Sequence, residues 1–394
     1  MQKCIICESF LNKSIANLGN LPPSNLYLRS VFDGWVSHPL QVGICSCCGL
    51  VQLVEPMSLE IIEPKVNWIK YEEPEDHLDT LAHRLIELLN LSPNSRIAGL
   101  TYKDETLLER FKVKGCKDYV SIDPRSDLGI SKTCFGLETV QEKINPAQMD
   151  FVARNRGKFD VVIGRHILEH ARDPNVFVEG CKALLKPNGF LILEVPDNEK
   201  VLAHGDHCFV WEEHCSYFTP LTLRRFALRH NFEVLDLQIY PQSFEDLLVV
   251  ILQNADKHKY CKLGLESTAI DQFVAFSNAF DRNKKRLQTK LRNLIAQDKK
   301  LIMVGSGHLA IKFINMHDLQ SYFSYIIDDN QLKHRRILPK SNLEIKPSVA
   351  LLSETNAILF LSLSPASQKS FLQKHKEQID GLEIYSIFNI PHGI

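Results

Sequence analysis

From about residue 75 the hydrophobic positions switch repeatedly between helical and strand periods. HLDTLAHRLIELLNL (77–91) carries apolar residues at helical spacing and runs through SPNS into SRIAGLT, a short apolar strand. DETLLERFKVKG (104–115) predicts the next helix and KDYVSIDP (117–124) the next strand. FDVVIGRH (159–166) predicts a strand, DPNVFVEGCKALLKPNG (173–189) a helix closed by a proline–glycine turn, and FLILEVPD (190–197) another strand. Repeated strand–helix–strand units imply an α/β fold with a parallel, doubly wound sheet, whose ligands lie at the carboxyl ends of the strands. After about residue 256 the alternation pauses. The stretch to about residue 300, including FDRNKKRLQTKLRNLIAQDKK, predicts helices with Leu287, Leu291, Leu294 and Ile295 on one stripe and basic residues on a solvated face. LIMVGSGHLAIKFI, YFSYIIDDN and NAILFLSLS then begin a second set of strand–helix units. The pattern divides the chain into expected domains at 1–66, 67–255, 256–297 and 298–394.

Charge narrows the partners. A formal net charge of −1 on 394 residues gives no electrostatic reason to expect nucleic acid or an anionic membrane. No apolar run approaches the roughly 20 residues of a membrane span, and MQKCIICESFLNKS lacks the long apolar core of a signal peptide. The expectation is a cytoplasmic protein, a monomer or weak homodimer, whose 11 cysteines are thiols or metal ligands rather than disulfides.

Five of those cysteines fall within the first 48 residues, as CIIC and CSCC. Two C-x-x-C knuckles, Cys4/Cys7 and Cys45/Cys48, can complete a tetrahedral sulfur site for structural Zn2+. Cys47 is the spare. No strand–helix context of a redox C-x-x-C surrounds either knuckle.

Other candidate chemistry sits where strands end. Gly99 closes SRIAGLT, and Asp123 closes the next strand, where an acid either accepts the ribose hydroxyls of an adenosine-type ligand or caps a turn. GRHILEHARDP places Arg165, His166, Glu169 and His170 at a strand end and the turn after it. In FVWEEHCSYFTP (209–220) two carboxylates precede a histidine between aromatic residues. His214 there reads either as a satisfied core histidine or as a base.

LGNLPPSNLYL, HPLQVGICSCCGLVQL, FDVVIGRHILEHARDP, LLKPNGFLILEVPD and EEHCSYFTP together resemble the three-part sugar C-methyltransferases. That resemblance implies a small zinc-binding N-terminal module, a Rossmann-like class I methyltransferase domain that uses S-adenosyl-L-methionine (SAM), and a second Rossmann-like C-terminal domain. It implies methyl transfer to a carbon of a nucleotide-linked keto sugar, often TDP-linked. VGSGHLAIKF followed by YIIDDNQLKHRRILPKSNLEI matches the last module, where Lys333, His334 and Arg335 are pyrophosphate contacts or simply solvated. The resemblance makes His214 the general base and Glu213 its neighbour, His170 a second active-site histidine that polarises the sugar carbonyl, and Tyr71 a cover over SAM or substrate. For the cofactor it points to Gly99, Thr101, Lys103, Asp104, Asp123, Arg165 and His166.

Two departures stand out. GLTYKDET replaces the glycine-rich SAM loop, with Glu105 where a glycine is expected and Lys103 available for the ligand carboxylate. Trp211-Glu212 replaces the family's tyrosine–histidine before the EH pair. Two alternatives remain open: methyl transfer to oxygen or nitrogen, and a nucleotide-sugar-binding protein that no longer binds SAM.

Overall fold

The computed structural model describes residues 2–68, 74–243, 245–254 and 267–388. After the first knuckle come strands β1 (Leu11–Leu21), β2 (His38–Cys45) and β3 (Val51–Leu53) and a short helix α1 (Leu59–Ile62). The predicted alternation follows as α2 (Leu78–Leu88), β4 (Arg96–Gly99), α3 (Glu105–Val113) and β5 (Asp118–Ser121). Next are α4 (Leu137–Lys143), α5 (Pro146–Arg156), β6 (Phe159–Arg165), α6 (Pro174–Leu184) and β7 (Leu185–Asp197). The domain ends with α7 (Glu199–His204), β8 (Ser216–Tyr217), α8 (Pro220–Arg229), β9 (Phe232–Tyr240) and β10 (Asp246–Asn254).

Six of these strands form one sheet in the order β5-β4-β6-β7-β10-β9. Val161, Val162 and Ile163 of β6 are wholly buried, as a central strand covered on both faces requires. Each such side chain contributes about 1.5–3 kcal/mol of transfer free energy. The expected parallel arrangement holds for β5, β4, β6 and β7. β10 runs antiparallel to both β7 and β9. The reason is the link between β9 and β10: residues 241–245 suffice for a hairpin return but not for a crossover helix. The helix expected over 173–189 also stops early, at Leu184, because Pro187 removes a backbone donor and Asn188 takes a left-handed φ of 59°. α6 itself starts where Asp173 accepts from the Val176 N–H at 3.0 Å, with Pro174 in the first turn.

The strand order reverses between β4 and β6, so the sheet opens a ligand crevice at their carboxyl ends. A second, smaller sheet has the order β1-β2-β3-β8, and β3 pairs with β8 through Val51 and Tyr217. Thus the strand that follows His214 is hydrogen-bonded to the cysteine-bearing module.

The C-terminal part begins with the long helix α9 (Ser267–Ile295) and continues through β11 (Lys300–Val304), α10 (His308–Met316), β12 (Phe323–Ile327) and β13 (Ile345–Lys346). β14 (Ala357–Leu361), α11 (Pro365–Lys374) and β15 (Glu383–Ser386) complete it. Its sheet, β13-β12-β11-β14-β15, is parallel throughout. By packing, the chain forms two units. Residues 1–15, 42–204 and 213–273 make the first, and 16–41, 205–212 and 274–394 the second. Among the described residues no helix is long and apolar enough to cross a membrane.

Candidate active site

The sulfur atoms of Cys4, Cys7, Cys45 and Cys48 converge within 4.8 Å of one another. Cys4 Sγ lies 3.6 Å from Cys48 Sγ, and Cys7 Sγ 3.4 Å from Cys45 Sγ. Tetrahedral ZnS4 with bonds of about 2.3 Å needs sulfurs spaced by about 3.8 Å, so the set fits zinc. Backbone N–H groups of Ile6, Cys47 and Cys48 point at these sulfurs (3.3–3.5 Å), which favours thiolates. Cys47 contributes its N–H and lies outside the sulfur cluster.

At the switch point the loop after β4 folds in on itself. Asp104 is fully buried; its Oδ2 accepts from the Thr101 N–H and its Oδ1 from the Arg165 N–H, both at 2.8 Å. Thr101 Oγ1 accepts from the Lys103 N–H at 3.1 Å. A side chain at Gly99 would place its Cβ 2.7 Å from Asp104 Cβ, so this glycine makes room for the chain's own aspartate. Two of the backbone donors that a glycine-rich loop offers a ligand are therefore taken here by Asp104 and Thr101.

Beneath that loop lies a buried charge centre. Glu194, at 0% side-chain exposure near the end of β7, accepts from Arg165 Nε at 2.9 Å and lies 2.8 Å from His77 Nε2 and 3.0 Å from His166 Nε2. Burial pushes this carboxyl up, yet His166, His77 and Arg165 together hold it well below the ordinary range. His166 sits at φ 51°, a strained conformation at the end of β6 of the kind that gathers at functional sites. Arg165 Nη1 donates to the Lys103 carbonyl at 2.6 Å and to Thr106 Oγ1 at 3.3 Å. Its Nη2 is buried with no acceptor among the described residues. A buried guanidinium nitrogen in that state suits an anionic ligand group. Asp123 lies beyond the end of β5, exposed, with Oδ1 accepting from the N–H groups of Arg125 (3.0 Å) and Ser126 (2.6 Å). These bonds, the Ser126 N–H first, lower its carboxyl below the usual value. Asp123 thus caps the turn after β5, and its side chain is exposed beyond the end of that strand.

The histidines that the sequence separates by 44 positions meet. His170, in the turn after β6, and His214, just before β8, lie with ring centroids 4.7 Å apart at 79°. Ligand atoms of Glu169, His170 and His214 fall within 4.8 Å of one another, as do those of Glu138, His170 and Glu213. Glu138, Glu169 and His170 are buried, and Glu213 and His214 are half-buried. The Cys215 N–H donates to the Glu169 carbonyl at 2.7 Å, which fixes the EH loop against the β6 turn. Tyr71 lies outside the described residues. Two members went unforeseen. Glu194 was detectable as a charge set in the middle of the apolar run FLILEVP; Glu138 belongs to no motif.

In the second unit Glu212 forms an ion pair with Lys312 of α10, each side chain about 1% exposed, and accepts from the Ser24 N–H. Asp328 is used internally, accepting from Ser306 Oγ at 2.7 Å and Lys333 Nζ at 2.9 Å, while His334 Nε2 lies 2.8 Å from the Asp328 carbonyl. The tight turn after β11 needs Gly305, at φ 89°.

Three family models match the chain in order: a zinc binding domain over residues 4–62, a methyltransferase domain over 79–237, and a C-methyltransferase C-terminal domain over 262–391. The chain belongs to the three-domain C-methyltransferases. It is 22% identical to C-methyltransferase NovU of Streptomyces niveus over 376 residues, 88% of this chain and 85% of that protein. A segment covering 14% of the chain is 43% identical to ubiquinone biosynthesis O-methyltransferase of Haemophilus ducreyi, of which it spans 22%. Among solved structures, the Burkholderia thailandensis 1,6-didemethyltoxoflavin-N1-methyltransferase aligns over 46% of this chain and 80% of its own, at 13% identity and a TM-score of 0.30. This three-domain C-methyltransferase is a SAM-dependent methyltransferase that also carries zinc.

Proposed function

We propose that this enzyme methylates a ring carbon of a nucleotide-linked keto sugar, with a TDP-linked keto-deoxysugar as the first substrate to try. The observation that carries the reading is the meeting of His170 and His214, at 4.7 Å between ring centroids, beside three carboxylates. SAM supplies an electrophilic methyl group, and a carbon can accept it only after becoming a nucleophile. His214 takes the proton from the carbon beside the ketone; the C–H electron pair forms the enolate double bond, and the carbonyl pair moves to oxygen. His170 donates a hydrogen bond to that oxygen as negative charge develops. Glu213, adjacent to His214, orients the base or steadies its protonated form.

Asp123 receives the ribose hydroxyls of SAM and Arg165 Nη2 its carboxylate, while Asp104, Thr101 and Gly99 hold the loop above them. The C-terminal domain, 298–394, is the substrate domain of this reading. The domain division at 66, 255 and 297 follows the same roles. Thiols left unpaired in the described cysteines suit a cytoplasmic location.

The test is a panel of keto-sugar nucleotides incubated in deuterium oxide with labelled SAM. Carbon methylation predicts solvent deuterium at the position to be methylated, then labelled methyl at that carbon by mass spectrometry. Label on oxygen or nitrogen, with no deuterium exchange, defeats the proposal.

A further inference from the structure

Glu138 has no role in the mechanism above, yet its Oε1 lies 3.6 Å from His170 Nδ1, an ion-pair distance, and both side chains are more than nine-tenths buried. It stands in the first turn of α4, where the helix dipole favours a carboxylate.

A glycine stands beside it. Gly136 immediately precedes α4 with φ −132° and ψ −169°, extended backbone that any residue adopts. Conformation therefore does not call for glycine. What a side chain here would meet is the carboxylate itself: a Cβ at Gly136 would collide with Glu138 Oε2 and lie 3.0 Å from Pro64 Cγ, so Glu138 would have to swing away. The carboxylate thus has Oε2 against Gly136 and Oε1 toward His170 Nδ1.

Among the described residues, two further carboxylates lie by this ring, Glu169 on its own turn and Glu213 with His214 on the loop before β8, while the nearby cation Arg172 donates to the Met57 carbonyl. Three carboxylates thus surround one imidazole. An imidazole flanked by carboxylates favours its protonated form, with both ring nitrogens as donors. A neutral ring with its proton on Nδ1 would offer Nε2 only as an acceptor, and could not stabilise a developing oxygen anion.

We propose that Glu138 is a positioning residue: its carboxylate engages Nδ1–H of His170, keeps the ring as imidazolium, and so leaves Nε2–H as the donor for the carbonyl oxygen of the substrate. Gly136 is part of the same device. The inference rests on the carbon-methylation reading and deepens it.

The experiment uses full-length, zinc-loaded enzyme and the keto-sugar nucleotide that the wild type turns over, with deuterium wash-in and methylation followed separately. Glu138→Gln keeps the shape and removes the charge. It should slow both kcat and exchange by about 10- to 100-fold, less than the roughly 10²- to 10³-fold of losing an oxyanion donor outright because Nε2 is retained, with the substrate KM and the SAM dissociation constant within about two-fold of wild type. It should also move the alkaline fall of the exchange rate to lower pH, which a packing defect would not do. Glu138→Asp, shorter but charged, should recover part of the rate, and Gly136→Ala should lower it by displacing the carboxylate. A wild type that exchanges and methylates beside a Glu138→Gln variant with the same rates and pH profile overturns this inference alone. A wild type that does neither overturns the parent reading and this inference with it. If Glu138→Gln does not fold, the Asp and Gly136→Ala variants decide between the same outcomes.

Discussion

Arg165 Nε donates to Glu194 Oε1 at 2.9 Å, with the two side chains at 1% and 0% exposure. Such a pair is worth little relative to an apolar one but is costly to break, because the surviving partner keeps a buried, uncompensated charge. Glu194→Gln should therefore lose about 3–5 kcal/mol of stability. Arg165→Met combined with Glu194→Met should lose less than either single change. Equilibrium urea unfolding measures both, and single variants as stable as wild type would mean that the guanidinium escapes to water.

The sulfur cluster predicts one zinc per chain. Cys48→Ser should abolish stoichiometric zinc, and Cys47→Ser should retain it, since only the Cys47 backbone N–H serves the site. Metal binding here contributes to folding, so a chelator should lower the melting temperature of wild type and leave Cys48→Ser unmoved. Chelator-release absorbance gives the count.

Removing the base should separate binding from chemistry. His214→Asn is expected to reduce methyl transfer by about 10²- to 10⁴-fold, the usual contribution of a positioned proton acceptor. Isothermal titration should find SAM affinity nearly unchanged. A parallel loss of SAM affinity would make the ring a structural element.

Glu212 predicts an acid limb in stability. Burial pushes its carboxyl up, but Lys312, then His308 and the Ser24 N–H, hold it down to about 2. A depressed folded value stabilises above the unfolded carboxyl range, about 4.3, and that contribution is lost as pH falls from there toward 2. Urea midpoints measured across this window should decline in wild type. The slope should shrink in Lys312→Met, where nothing equivalent depresses the carboxyl.

The parts of the fold that could be read in advance are those governed by local period. Runs such as FDVVIGRH and FLILEVPD announce central strands because both faces are covered and the polar alternation disappears. The C-x-x-C knuckles are equally plain, since two ligands on one tight turn need fixed spacing. The direction of FEVLDLQIY and DLLVVILQN was not legible, because a single apolar run looks alike in parallel and antiparallel pairing. Glu138 was hidden for a different reason. Its partner is 32 positions away, and its only local trace is a glycine whose backbone angles need no glycine. The GLTYKDET loop was visible as a departure, but only the geometry reveals that Asp104 occupies the space beside Gly99.

The segments 16–41 and 205–212 pack with residues 274–394, although the chain continues from each of them into the first unit. Cutting the gene at one point would thus orphan Lys312, whose counter-ion Glu212 would stay on the other fragment. The carboxy-terminal segment therefore does not carry its whole packing unit with it, since two upstream segments belong to the same unit. Separate expression of residues 1–273 and 274–394 should give insoluble material rather than two working proteins.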